Sequence, residues 1–325
     1  MTDDMFNIFM GDKSLEDVEV PRFITGWKGF DEAVSGPDRY GLALRSLIHT
    51  YGRSRSGKTT FDWSLTTKIC AELEKNLVMA NFENIDRRFF INVAKAQGFG
   101  PPLQVKEIQY QYPKVDCGLA MKQLTKDVTS DDFFCGILDS VGAVMGASEA
   151  ENDETYGERN IGGRAHIMNQ FTRELTTYFG SSSNNNGVVC VTNHVQPKIG
   201  FVGWNIPGGT GLQFFSHYDL YLKRGTEYGP NYVINGEVKK SKYGSAGGKF
   251  GVFVLYGKGV HSGMTALMDC QERKLLIAGA KTTSKMKVKE TGEELNSFKN
   301  YVELAHEGAT EEFQIFHDLL GDNDA

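Results

Sequence analysis

Leu47-Ile48-His49-Thr50-Tyr51-Gly52-Arg53-Ser54-Arg55-Ser56-Gly57-Lys58-Thr59-Thr60 is a short apolar run that meets a glycine and then a Gly-Lys-Thr. The spacing is GxxxxGK[ST], that of a P-loop, and it follows a strand-like segment as that motif requires. Small residues let successive backbone N–H groups curl around a phosphate, and the helix that begins there turns its positive end to the same anion. Gly52, Arg53, Ser54, Arg55, Ser56, Gly57, Lys58, Thr59 and Thr60 therefore form the candidate phosphate cradle. Lys58 is placed to reach the β- and γ-phosphates, and the Thr59 hydroxyl to hold Mg²⁺. The bland alternative is a glycine-rich strand-to-helix turn without a ligand. Phe61, Leu65, Ile69 and Leu73 follow four apart, which predicts a helix with one apolar face.

The chain has 325 residues, room for one large domain and a small one. It has 40% hydrophobic and 23% charged residues, an ordinary globular composition. No stretch approaches the roughly 18 apolar residues of a membrane span, and the acidic start Met1-Thr2-Asp3-Asp4 does not resemble a signal peptide. The five cysteines are far apart and form no CxxC pair, which suggests neither a zinc site nor a disulfide framework, and a reducing cytoplasm fits. The net charge of −6 speaks only weakly against nucleic acid, because much of the acid lies in the termini and local patches decide such binding.

Along the chain, residues 1–22 read as an arm with the apolar patch Met5-Phe6-Asn7-Ile8-Phe9-Met10 inside an acidic segment. The patch is either a lid on the protein's own core or a segment that docks on a neighbouring subunit. Apolar runs at 77–83, 133–139 and 187–194 predict buried strands, and helical patterns lie between them. Phe133-Phe134-Cys135-Gly136-Ile137-Leu138-Asp139 ends in an acid, as a Walker B strand does, so Asp139 is a candidate Mg²⁺ partner. The strand 187–194 ends in Asn193-His194. Strands alternating with helices, with polar groups gathered at strand ends, predict an α/β fold whose mostly parallel sheet carries the site at its carboxyl edge. From Tyr218 the pattern becomes strand after strand, 218–223, 232–240 and 250–256, which predicts antiparallel additions. Beyond about residue 262 a small C-terminal α+β domain is expected. There Lys281, Lys285, Lys287 and Lys289 share one parity, which puts them on one face of a strand. That face is either solvated or a duplex-binding patch. Thr310 is expected to cap a last helix bearing Phe313, Phe316, Leu319 and Leu320, closed by Gly321.

Several motifs coincide in order: Thr25-Gly26 with Asp31, GRSRSGKTT at 52–60, LDS at 138–140, TNH at 192–194, GGTG at 208–211, VKKSK at 238–242 and LYGKG at 255–259. The series resembles the RecA recombinases, and most closely their bacteriophage UvsX-like branch, from about residue 23 to the end. The resemblance implies a RecA-like P-loop ATPase core at 23–261, a short N-terminal oligomerisation arm at 1–22 and the small C-terminal domain at 262–325. It implies an ATP- and Mg²⁺-dependent protein that polymerises as a helical filament on single-stranded DNA, finds a homologous duplex and exchanges strands. Single-strand-binding and loader proteins are further candidate partners, and no membrane is involved. The site is then cytoplasmic, in the host cell if the chain is phage-encoded.

By the same resemblance, Asn193-His194 ends the strand that senses the γ-phosphate, with His194 as in UvsX-like members where many others have Gln. Lys240 and Lys242 match a pair that reaches the ATP of the next subunit, and Tyr256 matches an aromatic near the adenine across that interface. The carboxylate that orients the attacking water is Glu83, at the end of the second strand, or Asp116, in the segment where the bacterial branch carries its Glu; Glu83 is favoured. The two glycine-rich loops, about 146–165 and 196–211, match the family's DNA-contacting loops. Arg159, Arg164 and Arg173 belong to the first and the helix after it, and Lys198, Phe201, Trp204, Gly208 and Gly209 to the second. Cations on phosphates and aromatics against bases give sequence-tolerant binding, whereas packing in the core is the plainer role for Phe201 and Trp204. The first loop also carries Glu149, Glu151, Asp153, Glu154 and Glu158, acidic for a DNA contact. In the arm, Phe6, Ile8 and Phe9 are expected to pack on the adjacent protomer. Two other readings share the P-loop: a RecA-fold ring motor or helicase, and a nucleotide-gated mediator with little catalysis. The GGTG loop and the Lys240/Lys242 pair oppose the first. Intact Lys58, Thr59 and Asp139 oppose the second.

Overall fold

The computed structural model describes residues 20–36, 39–83, 86–108, 117–130, 132–144, 163–181, 185–197, 204–277 and 281–321. Asp116, Arg159, Lys198 and Phe201, the arm up to residue 19 and most of the first loop lie outside these.

The run before the P-loop forms β1 (Arg45–Gly52), buried at every position but Tyr51. Leu47 faces one core and Ile48 the other, because alternate strand residues point to opposite faces and both faces are covered. Ahead of it Lys28–Val34 forms α1, and behind it Lys58–Glu72 forms α2. The remaining strands of the same sheet are β2 (Asn76–Asn81), β3 (Val105–Glu107), β4 (Phe133–Asp139), β5 (Gly187–His194), β6 (Tyr218–Tyr228), β7 (Asn231–Ser241), β8 (Lys249–Leu255) and β9 (Gly259–Val260). Their order across the sheet is β9-β8-β7-β6-β1-β5-β4-β2-β3. From β6 to β3 every pair is parallel, and β7, β8 and β9 extend the sheet antiparallel. The chain is thus the mixed α/β fold expected, a large mostly parallel sheet with antiparallel additions and helices on its faces.

Those helices are α1 and α2 with α3 (Arg87–Ala96), α4 (Cys117–Val128), α5 (Gly163–Ser181) and α6 (Gly209–Phe215). The single apolar face expected of α2 understates its burial. Trp63, Thr66, Thr67 and Cys70 are buried as well as Phe61, Leu65 and Ile69, because the sheet covers one side and α3 with β9 the other. Phe61 packs with Trp27, Phe30 and Phe250, ring centroids 5.5–5.9 Å apart. Each such buried ring contributes roughly 1.5–3 kcal/mol. Thr25 and Asp31 hold the turn before α1: Asp31 Oδ1 accepts from the Thr25 backbone at 3.0 Å and its hydroxyl at 2.9 Å.

The last segment packs on the antiparallel strands. Val233, Phe253 and Leu255 share a core with Met264 and Leu267 of α7 (Ser262–Glu272), Phe298 and Tyr301 of α8 (Phe298–Glu307), and Phe316 of α9 (Gln314–Leu320). In the strand Lys285–Val288, Met286 and Val288 are buried and Lys285 and Lys287 exposed, the parity read from the sequence. Glu294 faces both lysines at 3.4 and 3.2 Å, which offsets their charge. Thr310 makes no capping hydrogen bond, because a 3-10 turn (Glu311–Phe313) comes between it and α9, while Gly321 closes that helix at φ 74°. No helix of the described residues is long and apolar enough to cross a membrane.

Candidate active site

The carboxyl ends of four neighbouring strands, β1, β5, β4 and β2, carry the candidate residues side by side. Residues 53–57 link β1 to α2. A Cβ on Gly52 would collide with the Leu222 carbonyl, and one on Gly57 would come within 2.6 Å of Ile234 while the backbone sits at φ 91°. Both positions therefore need glycine for packing as well as for a close anion. Lys58 is buried, and its Nζ donates to the carbonyls of Arg53 at 2.9 Å and Gly52 at 3.3 Å. Burial lowers its pKa, and the nearby Asp139, Asp62 and Glu83 oppose that shift. Ser56 and Thr60 are buried, while Arg53, Ser54 and Arg55 face solvent, Arg55 at φ 63°.

Asp139 ends β4 and is fully buried, and Thr59 donates to its Oδ2 at 2.7 Å. Its Oδ1 has no hydrogen-bond partner among the described residues. Burial pushes the Asp139 carboxyl up to about 6, against the Thr59 hydroxyl that favours its charged form. An unsatisfied carboxylate oxygen beside a threonine hydroxyl suits a hard cation or its water ligand, so Thr59 and Asp139 fit Mg²⁺. No three-residue cluster of metal ligands lies among the described residues.

Glu83, two residues past the end of β2, and His194, the last residue of β5, leave the strands on either side of β4 and meet at Ser140. His194 Nε2 donates to Glu83 Oε1 at 3.0 Å, and the Ser140 hydroxyl donates to the same oxygen. These donors, the His194 N–H first, hold Glu83 below its usual carboxylate range although burial opposes them. The structure thus brings Lys58, Thr59, Asp139, Glu83 and His194 to one strand-end cluster.

Asn193 is fully buried. Its Nδ2 donates to the Pro207 carbonyl at 2.8 Å and to His49 Nε2 at 3.3 Å, and His49 Nδ1 donates in turn to Asp219 Oδ1 at 3.1 Å. Ser216 donates to the same Asp219 oxygen at 2.6 Å. A buried polar chain therefore runs from the end of β5 to the start of β6. The sequence reading missed His49 and Asp219. A polar residue inside each apolar strand was the signal, but the pairing spans 170 residues.

Lys240 and Lys242 are not drawn to the P-loop of their own chain. Lys240 Nζ donates to the carbonyls of Gln213, Phe214 and Ser216 at 2.7–2.9 Å, and Lys242 Nζ to that of Phe215 at 2.9 Å. They close the negative end of α6. The other end of α6 begins at Gly208 and Gly209, so the last residues of the second glycine-rich loop are already helix. A Cβ on Gly208 would lie 2.8 Å from Val141 and one on Gly209 3.0 Å from Ala165, and both sit at positive φ, 96° and 76°, so backbone and packing together favour glycine there. Arg164 folds back onto the Val144 carbonyl at 2.7 Å, and Arg173 lies over the Phe215 ring. Trp204 is 46% exposed, which excludes the core role for that residue. Phe214, missed from the sequence, is 72% exposed on α6. Tyr256 stands exposed at a cleft of about 800 Å³ between α3 and the C-terminal helices.

Asp62 was also missed. An acid inside an apolar helix, it is fully buried, and Thr50 and Thr192 donate to its Oδ2 at 2.5 and 3.1 Å. Burial raises its carboxyl to about 8. The folded chain then keeps a proton that the unfolded chain releases near pH ~3.9, so this group's contribution to stability falls as pH rises from ~4 to about 8. Melting temperatures of wild type and Asp62→Asn from pH 5 to 9 check this: the wild type should lose ground to the variant as pH rises. Parallel curves would show Asp62 ionised in the fold.

A P-loop at the carboxyl edge of such a sheet, with an acid ending the strand beyond its neighbour, defines a nucleotide-binding α/β protein. The RecA N-terminal domain family matches residues 7–261, and the chain belongs to that family. It is 30% identical over 280 residues to Protein RecA of Prochlorococcus marinus (strain MIT 9215), covering 82% of this chain and 70% of the relative. Protein RecA of Campylobacter lari is 30% identical over 221 residues, 66% of this chain and 58% of its own length. The chain thus spans little more than half of the latter relative.

Proposed function

We propose that the chain is a DNA-dependent ATPase and recombinase of the UvsX-like kind, which filaments on single-stranded DNA, pairs it with a homologous duplex and exchanges strands. The observation that carries this reading is the Thr59–Asp139 and Glu83–Ser140–His194 cluster at adjoining strand ends, with the second glycine-rich loop leaving directly from His194. In this reading Lys58 and the 52–60 backbone hold the ATP phosphates. Thr59 and Asp139 hold Mg²⁺, which offsets charge on the phosphate oxygens. Glu83 orients the attacking water and His194 reports the γ-phosphate to the loop. Lys240, Lys242 and Tyr256 serve the ATP of the neighbouring subunit, in keeping with the lysines' turn towards α6 and not towards their own P-loop. Arg164, Arg173 and Trp204 face the DNA with the loops around 146–165 and 196–211. The division into arm, ATPase core and C-terminal unit belongs to the same proposal.

Strand exchange between a single-stranded circle and its homologous linear duplex, with ATP and Mg²⁺, tests the function. Joint molecules are expected with wild type and none with Lys58→Ala. Robust DNA-stimulated turnover without joint molecules would favour a motor instead.

A further inference from the structure

We propose that Arg53 is a positioning residue that couples phosphate in the P-loop to the second glycine-rich loop through the face of Trp204; this rests on the nucleotide reading of the site above. The Arg53 guanidinium carbon lies 4.5 Å from the centre of the Trp204 ring, within cation–π range. The two ends of this contact are anchored differently. Trp204 pairs with Pro197, and Asn205 with Gln196, in a short antiparallel hairpin. Gln196 stands two residues after His194, so the indole is fixed to the chain that leaves the end of β5. Arg53 is anchored in the cradle itself. Its carbonyl accepts the Lys58 ammonium at 2.9 Å and the Ser56 N–H at 3.3 Å. One residue thus has its main chain on the phosphate lysine and its side chain on the loop.

A phosphate in the cradle competes with the Arg53 carbonyl for Lys58, and any turn of the 53–54 peptide moves the guanidinium against the indole. By linkage, whatever changes the contact at one end changes the equilibrium at the other by the same factor. For a half-exposed ring that factor is about two- to fivefold. This gives Arg53 a part beyond phosphate attraction. Arg55, two residues on, stacks on no ring among the described residues.

Trp27 and Trp63, the other two tryptophans, are fully buried, so collisional quenching by acrylamide reads Trp204. The test uses the full chain without DNA. Quenching constants are measured with and without Mg²⁺ and a non-hydrolysable ATP analogue at saturation, and calorimetry follows analogue binding on the same samples. In wild type the analogue should change the quenching constant. In Arg53→Ala the change should vanish, and in Arg53→Lys, which keeps a cation, it should survive in part. Trp204→Phe should remove the quenchable emission. A full wild-type response in Arg53→Ala overturns the coupling alone. Absence of analogue binding in wild type overturns both the coupling and the nucleotide reading.

Discussion

Glu83→Gln should lower DNA-stimulated ATP turnover by about 10²–10³-fold while leaving nucleotide binding in place, the loss expected when a water-orienting carboxylate is removed. Asp116→Asn should leave turnover near wild type. The geometry behind this is the meeting of Glu83, Ser140 and His194 beside Asp139. The two donors also say what kind of group Glu83 is. A carboxylate held below its usual range is a poor proton acceptor, so its work is to aim the water and stabilise charge rather than to keep the proton. Glu83 should therefore not be the group that limits turnover as pH falls, because Asp139, pushed up to about 6, takes up a proton first. Initial rates of phosphate release, with single-stranded DNA saturating, check the result. Turnover surviving in Glu83→Gln and lost in Asp116→Asn would transfer the role.

The double substitution Lys240→Ala/Lys242→Ala should remove DNA-stimulated turnover by about 10³-fold, the scale of a cation supplied in trans to a transferring phosphoryl group. The monomer should lose only about 0.3–1 kcal/mol for each lysine that closes α6. Mixing separates the two roles. Lys58→Ala subunits keep the lysine pair and lack the phosphate lysine, and the double variant is the converse. A site is complete where the double variant supplies the P-loop and a Lys58→Ala neighbour the lysine pair, and empty of both in the opposite order, so a mixture should regain part of the turnover that neither variant has alone. A mixture as inactive as its parts would confine the lysines to closing α6 within their own chain.

Much of this was legible in the sequence because it rests on short-range rules. The P-loop spacing, the apolar runs ending in Asp139 and Asn193-His194, and the alternation at Lys285–Val288 each follow from local period and turn chemistry. The long-range pairs were not legible. His49 with Asp219, Asp62 with Thr192, and Arg53 with Trp204 join segments far apart in sequence. Each looks locally like an ordinary polar residue in a strand, helix or loop. The trans reading of Lys240 and Lys242 came from resemblance. The structure supplied their present partners, the carbonyls of α6, which no spacing rule would name.

The burial of α2 on every side has one more consequence. Eleven of its fifteen residues are enclosed, Lys58 among them. A helix so surrounded cannot slide or tilt without dragging the sheet and its covering helices along. Phosphate chemistry at its first turn must therefore be transmitted by the strand ends and loops around it, while the helix serves as the fixed anvil against which they are struck.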